Sequence, residues 1–80
     1  MSARGFAETS ELEGSLARRG FAKPAGSLRW TKENVCVRIE DAETCAVTVT
    51  VFDGRCVVWE ASFASAPVDV VMSLIAKVLP

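Results

Sequence analysis

The chain has 80 residues with nine basic and ten acidic side chains, and half of its residues are apolar. This length allows one small domain, the apolar content excludes a wholly disordered chain, and no apolar run is long enough to cross a bilayer. A net charge of −1 argues against a general polyanion binder, because affinity for nucleic acid depends on clustered Lys and Arg.

Residues 1–27 are predicted to form a flexible or weakly helical segment. They are rich in Gly, Ala and Ser, and they end in a linker-like stretch. Ser10 suits a helix N-cap, but an internal Gly14 weakens any helix that follows. The sequence Arg-Gly-Phe-Ala occurs twice, either by chance in a biased composition or as a doubled docking motif. The residues of that motif are Arg4, Phe6, Arg19 and Phe21.

Residues 28–80 are predicted to form a β-β-β-α domain. They contain both Trp residues and nearly all the β-branched residues, and three stretches alternate apolar and polar side chains as half-buried strands do. These stretches are residues 35–40, 45–52 and 55–63. Residues 28–31 suit a further short strand, and Asn34 suits the positive φ of the turn that follows it. We therefore expect an α+β fold, an antiparallel meander of three or four strands packed by one C-terminal helix.

The register of the last hairpin follows from the positions of its apolar residues. A three-residue loop with Gly54 in a left-handed conformation would pair Val49 with Val57 and Val47 with Trp59. This register separates a face of Val, Trp and Phe from a face of Thr, Cys and Glu, whereas a slip by one residue mixes them. We predict the three-residue loop for this reason.

After Pro67, the spacing of apolar residues predicts a helix with two apolar stripes. One stripe is Val68, Val71, Met72, Ile75 and Leu79, and the other is Val70, Leu74 and Val78. Packing on the sheet uses the first stripe, and a domain of this size often oligomerises. We therefore predict a homodimer in which Val70, Leu74 and Val78 pack across a two-fold axis. In the alternative, the N-terminal segment folds back and covers the second stripe with Leu12, Leu16, Phe6 and Phe21.

No catalytic constellation is found, and the chain is predicted not to be an enzyme. The chain has no His and no Tyr, and Cys36, Cys45 and Cys56 lack the spacing of a zinc or redox motif. We expect no metal and no cofactor. An odd number of Cys and the lack of an apolar signal core after Met1 favour a reducing cytoplasm.

These features favour a small macromolecule-binding module, most simply a homodimeric protein-interaction or regulatory protein. The alternative is a single-stranded nucleic-acid-binding protein that stacks bases on one face of the sheet. The residues of that face would be Arg29, Trp30, Lys32, Arg38 and Arg55.

The C-terminal part of the chain resembles a group of small domains of unknown function in actinobacteria and their phages. In those domains a strand ending in W-x-x-x-F precedes a small residue, a Pro and a short apolar helix. Here the matching residues are Trp59 and Phe63, followed by Ala66 and Pro67. The resemblance covers residues 56–80 and implies no functional residue. If the chain is phage-encoded, it would act in the host cytoplasm as a host-directed regulator.

Overall fold

The computed structural model describes residues 3–65 and 67–79, so Met1, Ser2, Ala66 of the Ala-Pro junction and Pro80 lie outside the described residues. Six elements follow one another along the chain. They are helix α1 (Ala3–Arg18), strands β1 (Arg29–Lys32), β2 (Val35–Asp41), β3 (Ala46–Asp53) and β4 (Cys56–Phe63), and helix α2 (Val68–Val78). The predicted α+β class is confirmed, with the fourth strand present. Among the described residues, no helix is long and apolar enough to span a membrane.

The four strands form one antiparallel sheet in the order β1-β2-β3-β4. Both helices pack on the same side of it, because a single core cluster joins buried side chains of α1, α2 and the sheet. We call this side the helix face. Its buried residues from β2 and β3 are Val35, Val37, Ile39, Val47, Val49 and Val51. The opposite side, which we call the open face, carries the alternate residues of the same strands.

The register of the β3–β4 hairpin differs from the prediction. The loop is Gly54-Arg55, since Asp53 pairs with Cys56, and the register then shifts so that Val51 pairs with Trp59. The prediction placed one extra residue in the loop so that apolar and polar side chains would point to different faces. In the structure this extra residue is Val58, which forms a bulge inside β4. Trp59 and its alternate neighbours therefore share the face of Val51, as predicted. Val57 was assigned to that face wrongly, because it pairs with Phe52 on the open face.

Helix α1 is longer than the predicted helix and belongs to the core. Leu12 and Leu16 are fully buried, and Phe21, just after the helix, is 5% exposed. These three side chains join the cluster formed by the strands and α2. The boundary expected at residue 27 therefore does not separate a flexible segment from a self-sufficient domain. The N-terminal segment folds back on residues 28–80, but not as the alternative described. Leu12, Leu16 and Phe21 join the core formed by the sheet and the first stripe of α2. Phe6 and Val70 stay exposed, so the second stripe is not covered as that alternative expected.

A close approach of backbones and a hydrogen bond attach α1 to the β2–β3 turn. A Cβ atom added at Gly5 would lie 1.6 Å from the carbonyl oxygen of Glu43, so only glycine fits there. One turn further along, the hydroxyl of Thr9 donates to the carbonyl of Ala42 at 2.7 Å. These contacts fix the start of α1 against the sheet.

Helix α2 uses the first predicted stripe for packing. Val71 and Ile75 are fully buried, and Val68, Met72 and Leu79 pack against the core from its margin. Asp69 lies in the first turn and Lys77 in the last, where each complements the helix dipole. This part of the prediction is confirmed.

The β1–β2 turn places its positive φ one residue earlier than expected. Glu33 has a φ of 53°, whereas Asn34 does not have a positive φ. The side-chain amide of Asn34 donates to the carbonyl of Phe52 at 3.1 Å, and its own carbonyl accepts from the Phe52 N–H at 2.9 Å. Asn34 therefore connects the turn to β3, and Glu33 adopts the strained conformation.

Candidate protein-binding surfaces

Exposed apolar side chains occur in β4 and on one flank of α2. Val57 and Val58 are 53% and 60% exposed, Trp59 is 38% exposed, and Val70 of α2 is 48% exposed. Leu74, one turn after Val70, is half-buried. We call these five residues the apolar edge. Adjoining exposed apolar side chains of this kind mark interaction sites in soluble proteins.

The geometry of α2 explains which of its residues remain outside the core. Met72 borders the same depression as Ser15 and Arg18 of α1, so that side of α2 faces α1. Val70 and Leu74 lie about 160° away from Met72 at about 100° per residue, on the flank turned away from α1. Val78, the third residue of the predicted dimer stripe, packs against the core instead. The stripe is thus reduced to Val70 and Leu74, and its role as an interface stays a prediction.

The open face forms a second candidate surface, a shallow depression of about 430 Å³. The residues that line it are Arg29, Cys36, Arg38, Glu40, Thr48, Thr50, Phe52, Val57, Glu60 and Ser62. The face carries two basic and two acidic side chains, and Arg38 Nε lies 3.5 Å from Glu40 Oε1. Glu60 accepts a hydrogen bond from the hydroxyl of Thr50 at 3.1 Å. Mixed charge around a half-buried aromatic side chain suits a protein partner better than a polyanion.

The residues predicted to bind nucleic acid are divided between the two faces. Arg29 and Arg38 pair directly across β1 and β2 and point to the open face. Lys32 and Trp30 point to the helix side, and Arg55 lies in the β3–β4 loop. The Lys32 ammonium donates to the carbonyl of Arg19. The structure therefore does not assemble one stacking face from these five residues.

Trp30 connects β1 to α1. Its indole N–H donates to Glu13 Oε2 at 3.3 Å, and its ring packs against the core. The ammonium of Lys23 lies 5.6 Å from the ring centroid and 3.6 Å from the same carboxylate oxygen. An indole held between a carboxylate, a cation and the core is a structural element, which explains why it does not stand free to stack on a base.

The two copies of Arg-Gly-Phe-Ala adopt different conformations. The first copy lies in α1, where Phe6 is exposed and Arg4 Nε lies 2.9 Å from Glu8 Oε1. The second copy forms the turn after α1, with Arg19 exposed and Gly20 at a φ of 93°. Phe21 is buried there as a core residue, which corrects its assignment as a docking anchor.

A cleft of about 620 Å³ lies between the start of α1, the β2–β3 turn and the connection from β4 to α2. Arg4 and Glu8, which line it, form an ion pair with each other. Within residues 3–65 and 67–79, no buried polar side-chain atom lacks a hydrogen-bond partner, and no group of three His, Cys, Asp or Glu is placed to hold a metal. The cleft therefore presents no group that calls for a ligand.

The three cysteines are free and lie in different environments: Cys45 is buried, Cys36 half-buried and Cys56 exposed. Burial raises the pKa of the Cys36 thiol above its usual value, and the nearby Arg29 and Arg38 oppose this without cancelling it. The thiol of Cys36 is therefore protonated near neutral pH, which is the unreactive form of a cysteine.

No family model, curated protein or solved structure compared with the chain matches it. The resemblance of residues 56–80 to small actinobacterial and phage domains consequently stays a prediction.

Sequence reasoning missed Val57 and Val58 as surface residues. Their alternation with Cys56 and Trp59 reads as a half-buried strand, so Val57 was assigned to the core. The residues themselves give no signal of an exposed edge, since residues 55–63 contain no Lys and no Pro, the residues by which exposed edge strands are commonly protected.

Proposed function

We propose that this chain is a non-enzymatic protein-binding module that works as a homodimer. The observation that carries the proposal is the apolar edge, where three consecutive residues of β4 and two of α2 are open to solvent or only half-buried. A chain of this size forms only a small core, and burying exposed apolar side chains between two copies would add to its stability.

The homodimer is tested by sedimentation velocity of the full chain over a range of concentrations. We expect a dimer at micromolar concentration, and Val70→Lys should shift the chain towards monomer because it places a charge in the contact. Ser73→Lys is the matched control, because Ser73 is exposed on the same helix but lies outside the apolar edge. A wild-type chain that stays monomeric would contradict the proposal, and so would equal effects of the two variants.

The open face is the surface proposed for a different protein partner, as expected of a regulatory module. Dimerisation through the apolar edge leaves most of this face free, and its half-buried Phe52 lies among charges of both signs. The proposal places the protein in the cytoplasm, in the host cytoplasm if it is phage-encoded. The three free thiols support this, because a reducing compartment keeps thiols unpaired.

Affinity purification from the native host tests the partner. The full chain is compared with a double variant of the open face, Arg29→Ala with Arg38→Ala, and with a double variant of exposed positions on α1, Glu11→Ala with Ala17→Ser. We expect a protein that the wild type and the α1 variant retain and the open-face variant loses. Equal retention by all three would exclude the open face as the binding surface.

Single-stranded nucleic acid is the second candidate ligand, and one observation favours it. Arg29 and Arg38 lie directly opposite each other, an arrangement of like charges that destabilises a sheet and that an anion would relieve. Glu40 and Glu60 on the same face oppose it. Labelled single-stranded DNA that fails to bind at about 50 mM salt, where phosphate contacts are strong, would remove this candidate.

A further inference from the structure

The two edges of the sheet differ in how their backbone groups are used. Along β1, residue Ala22 forms a bridge with Thr31, in which each N–H donates to the other's carbonyl at 3.0 and 2.9 Å. Strand β4 is twice as long, and its only neighbour in the sheet is β3. Among the described residues, no other segment of the chain bonds to its outer side. An edge of this kind is a template for another strand.

The chemistry of β4 favours a second copy of the same strand as its partner. The only charged residue in β4 is Glu60, and its apolar side chains at Val57, Val58 and Trp59 are exposed. The bulge at Val58 interrupts the first part of the strand, but residues 59–63 pair regularly with β3. Two copies of this regular run present the same backbone groups and can pair antiparallel with two-fold symmetry.

Charge and aromatic pairing together favour one register of such a pair. Residues that lie opposite each other in antiparallel strands point to the same face of the sheet. In a two-fold symmetric pair, the axis must therefore pass midway between one residue of the regular run and the same residue of the partner. An axis at Glu60 would place two carboxylates directly opposite each other, which is unfavourable. An axis at Ala61 places Glu60 opposite the partner's Ser62 and Trp59 opposite the partner's Phe63. It therefore avoids the repulsion and forms two aromatic pairs on the helix side.

Helix α2 is on the correct side of the molecule to extend this contact. The hydrogen bond from Trp30 to Glu13 places α1 against β1, at the other end of the sheet. The flank of α2 that faces away from α1 therefore looks towards β4 and beyond it. Val70 and Leu74 occupy this flank, so joined sheets would bring the two α2 helices together through these residues.

We infer that two copies join strand β4 to strand β4, antiparallel, across a two-fold axis at Ala61, so that two four-stranded sheets form one continuous sheet. This inference rests on the homodimer proposed above and defines how its two chains meet. The open faces of both copies then lie side by side on one surface, with the four helices on the other.

Two opposite charge changes at Ser62 test the register. Ser62 is exposed, and both variants lose the same contact with the Thr48 hydroxyl at 3.1 Å. Ser62→Lys creates two attractive pairs with Glu60 of the partner subunit, and Ser62→Glu creates two repulsive ones. We expect the dimer dissociation constant of the Glu variant to exceed that of the Lys variant by about tenfold, measured by sedimentation at low salt.

Disulfide trapping tests the axis itself. Ala61→Cys, in a chain with Cys36→Ser and Cys56→Ser, should form a linked dimer on mild oxidation, because the two Cβ atoms would lie about 5 Å apart. The control keeps Cys56 and Ala61 and carries only Cys36→Ser. In this register the two Cys56 residues lie about 33 Å apart along the paired strands and should not link.

The outcomes separate the inference from the proposed function. A dimer whose dissociation constant is the same for both Ser62 variants, or that Ala61→Cys does not trap, would overturn the β4 pairing and leave the homodimer standing. Efficient linking through Cys56 would also overturn this register. A chain that is monomeric at all concentrations would overturn both proposals.

Discussion

Gly5 lies where α1 approaches the β2–β3 turn, and its lack of a side chain is a structural requirement. A Cβ atom there would meet backbone atoms of Glu43, which cannot move aside as a side chain can. We expect Gly5→Ala to lower the free energy of unfolding by about 3 kcal/mol, although alanine favours helix formation. Urea unfolding followed by circular dichroism measures the change.

Gly14 in the same helix provides the matched control. A Cβ atom there would lie 3.4 Å from the flexible end of Arg18, which is an ordinary contact. Gly14→Ala should therefore raise the free energy of unfolding by about 0.5–1 kcal/mol through helix propensity alone. Equal effects of the two substitutions would show that α1 does not pack against the turn as described.

The three cysteines should react with a thiol reagent in a fixed order. Cys56 is exposed and should react first, whereas Cys45 is buried and should react only when the chain unfolds. Cys36 should be slow at pH 8, because its raised pKa leaves less of the thiolate that attacks the reagent. Its rate should still be rising with pH above 9.0, the ordinary thiol value. A Cys36 that reacts as fast as Cys56 at pH 8 would contradict this environment.

Glu33 holds a left-handed conformation in the β1–β2 turn, and a residue with a Cβ atom adopts it at a cost. Glu33→Gly removes that cost and should raise the free energy of unfolding by up to about 1 kcal/mol. Glu33→Ala loses the same carboxylate but keeps the Cβ atom, so it should give no gain. Thermal unfolding of the three chains compares them, and a gain for the Ala variant would point to charge instead of backbone strain.

At the scale of the elements, the packing of α1 against the sheet is the feature of the fold that mutations test most directly. Leu16 of α1 is fully buried, so Leu16→Ala should cost about 3 kcal/mol of the free energy of unfolding. Leu28→Ala removes the same atoms from a side chain that is 60% exposed and should change the free energy of unfolding by less than about 0.5 kcal/mol.

Deletion of residues 1–26 should abolish cooperative unfolding. A deleted chain that unfolds cooperatively would show that residues 27–80 fold alone.

The strands and α2 could be predicted from sequence because their signals are local. Alternation with period two defined β2 and β3, and the spacing of Val71 and Ile75 defined the buried side of α2. Helix α1 was underestimated because Gly5 and Gly14 lower its intrinsic helix propensity, and burial of Leu12 and Leu16 against distant strands compensates for this. Leu12 and Leu16 have helical i, i+4 spacing, but two residues are too few to show that the helix belongs to the core.

The apolar edge could be predicted only in part, for a related reason. The excess apolar stripe on α2 indicated Val70 and Leu74, since a helix covers a sheet with one side only. The exposure of Val57 and Val58 depends on β4 being the last strand and on the bulge at Val58. Strand order and bulge position follow from the packing of the whole sheet, which one strand's sequence does not determine.

At the scale of the whole molecule, dimerisation links stability to protein concentration. If folding is coupled to association, each tenfold rise in concentration stabilises the folded dimer, and the unfolding midpoint of a chain this size should rise by roughly 3–6 °C. Val70→Lys should remove this dependence, because a monomer's midpoint does not change with concentration. Ser73→Lys should keep it.

Differential scanning calorimetry from about 5 to about 500 µM chain measures the effect over two tenfold steps. A wild-type midpoint that stays constant over this range would contradict a dimer coupled to folding. If Ser62→Glu loses the dependence at low salt and recovers it at high salt, the interface contains the screened repulsion that β4 pairing predicts. The calorimetric midpoints would then show that a single charge at residue 62, on the open face, controls dimerisation.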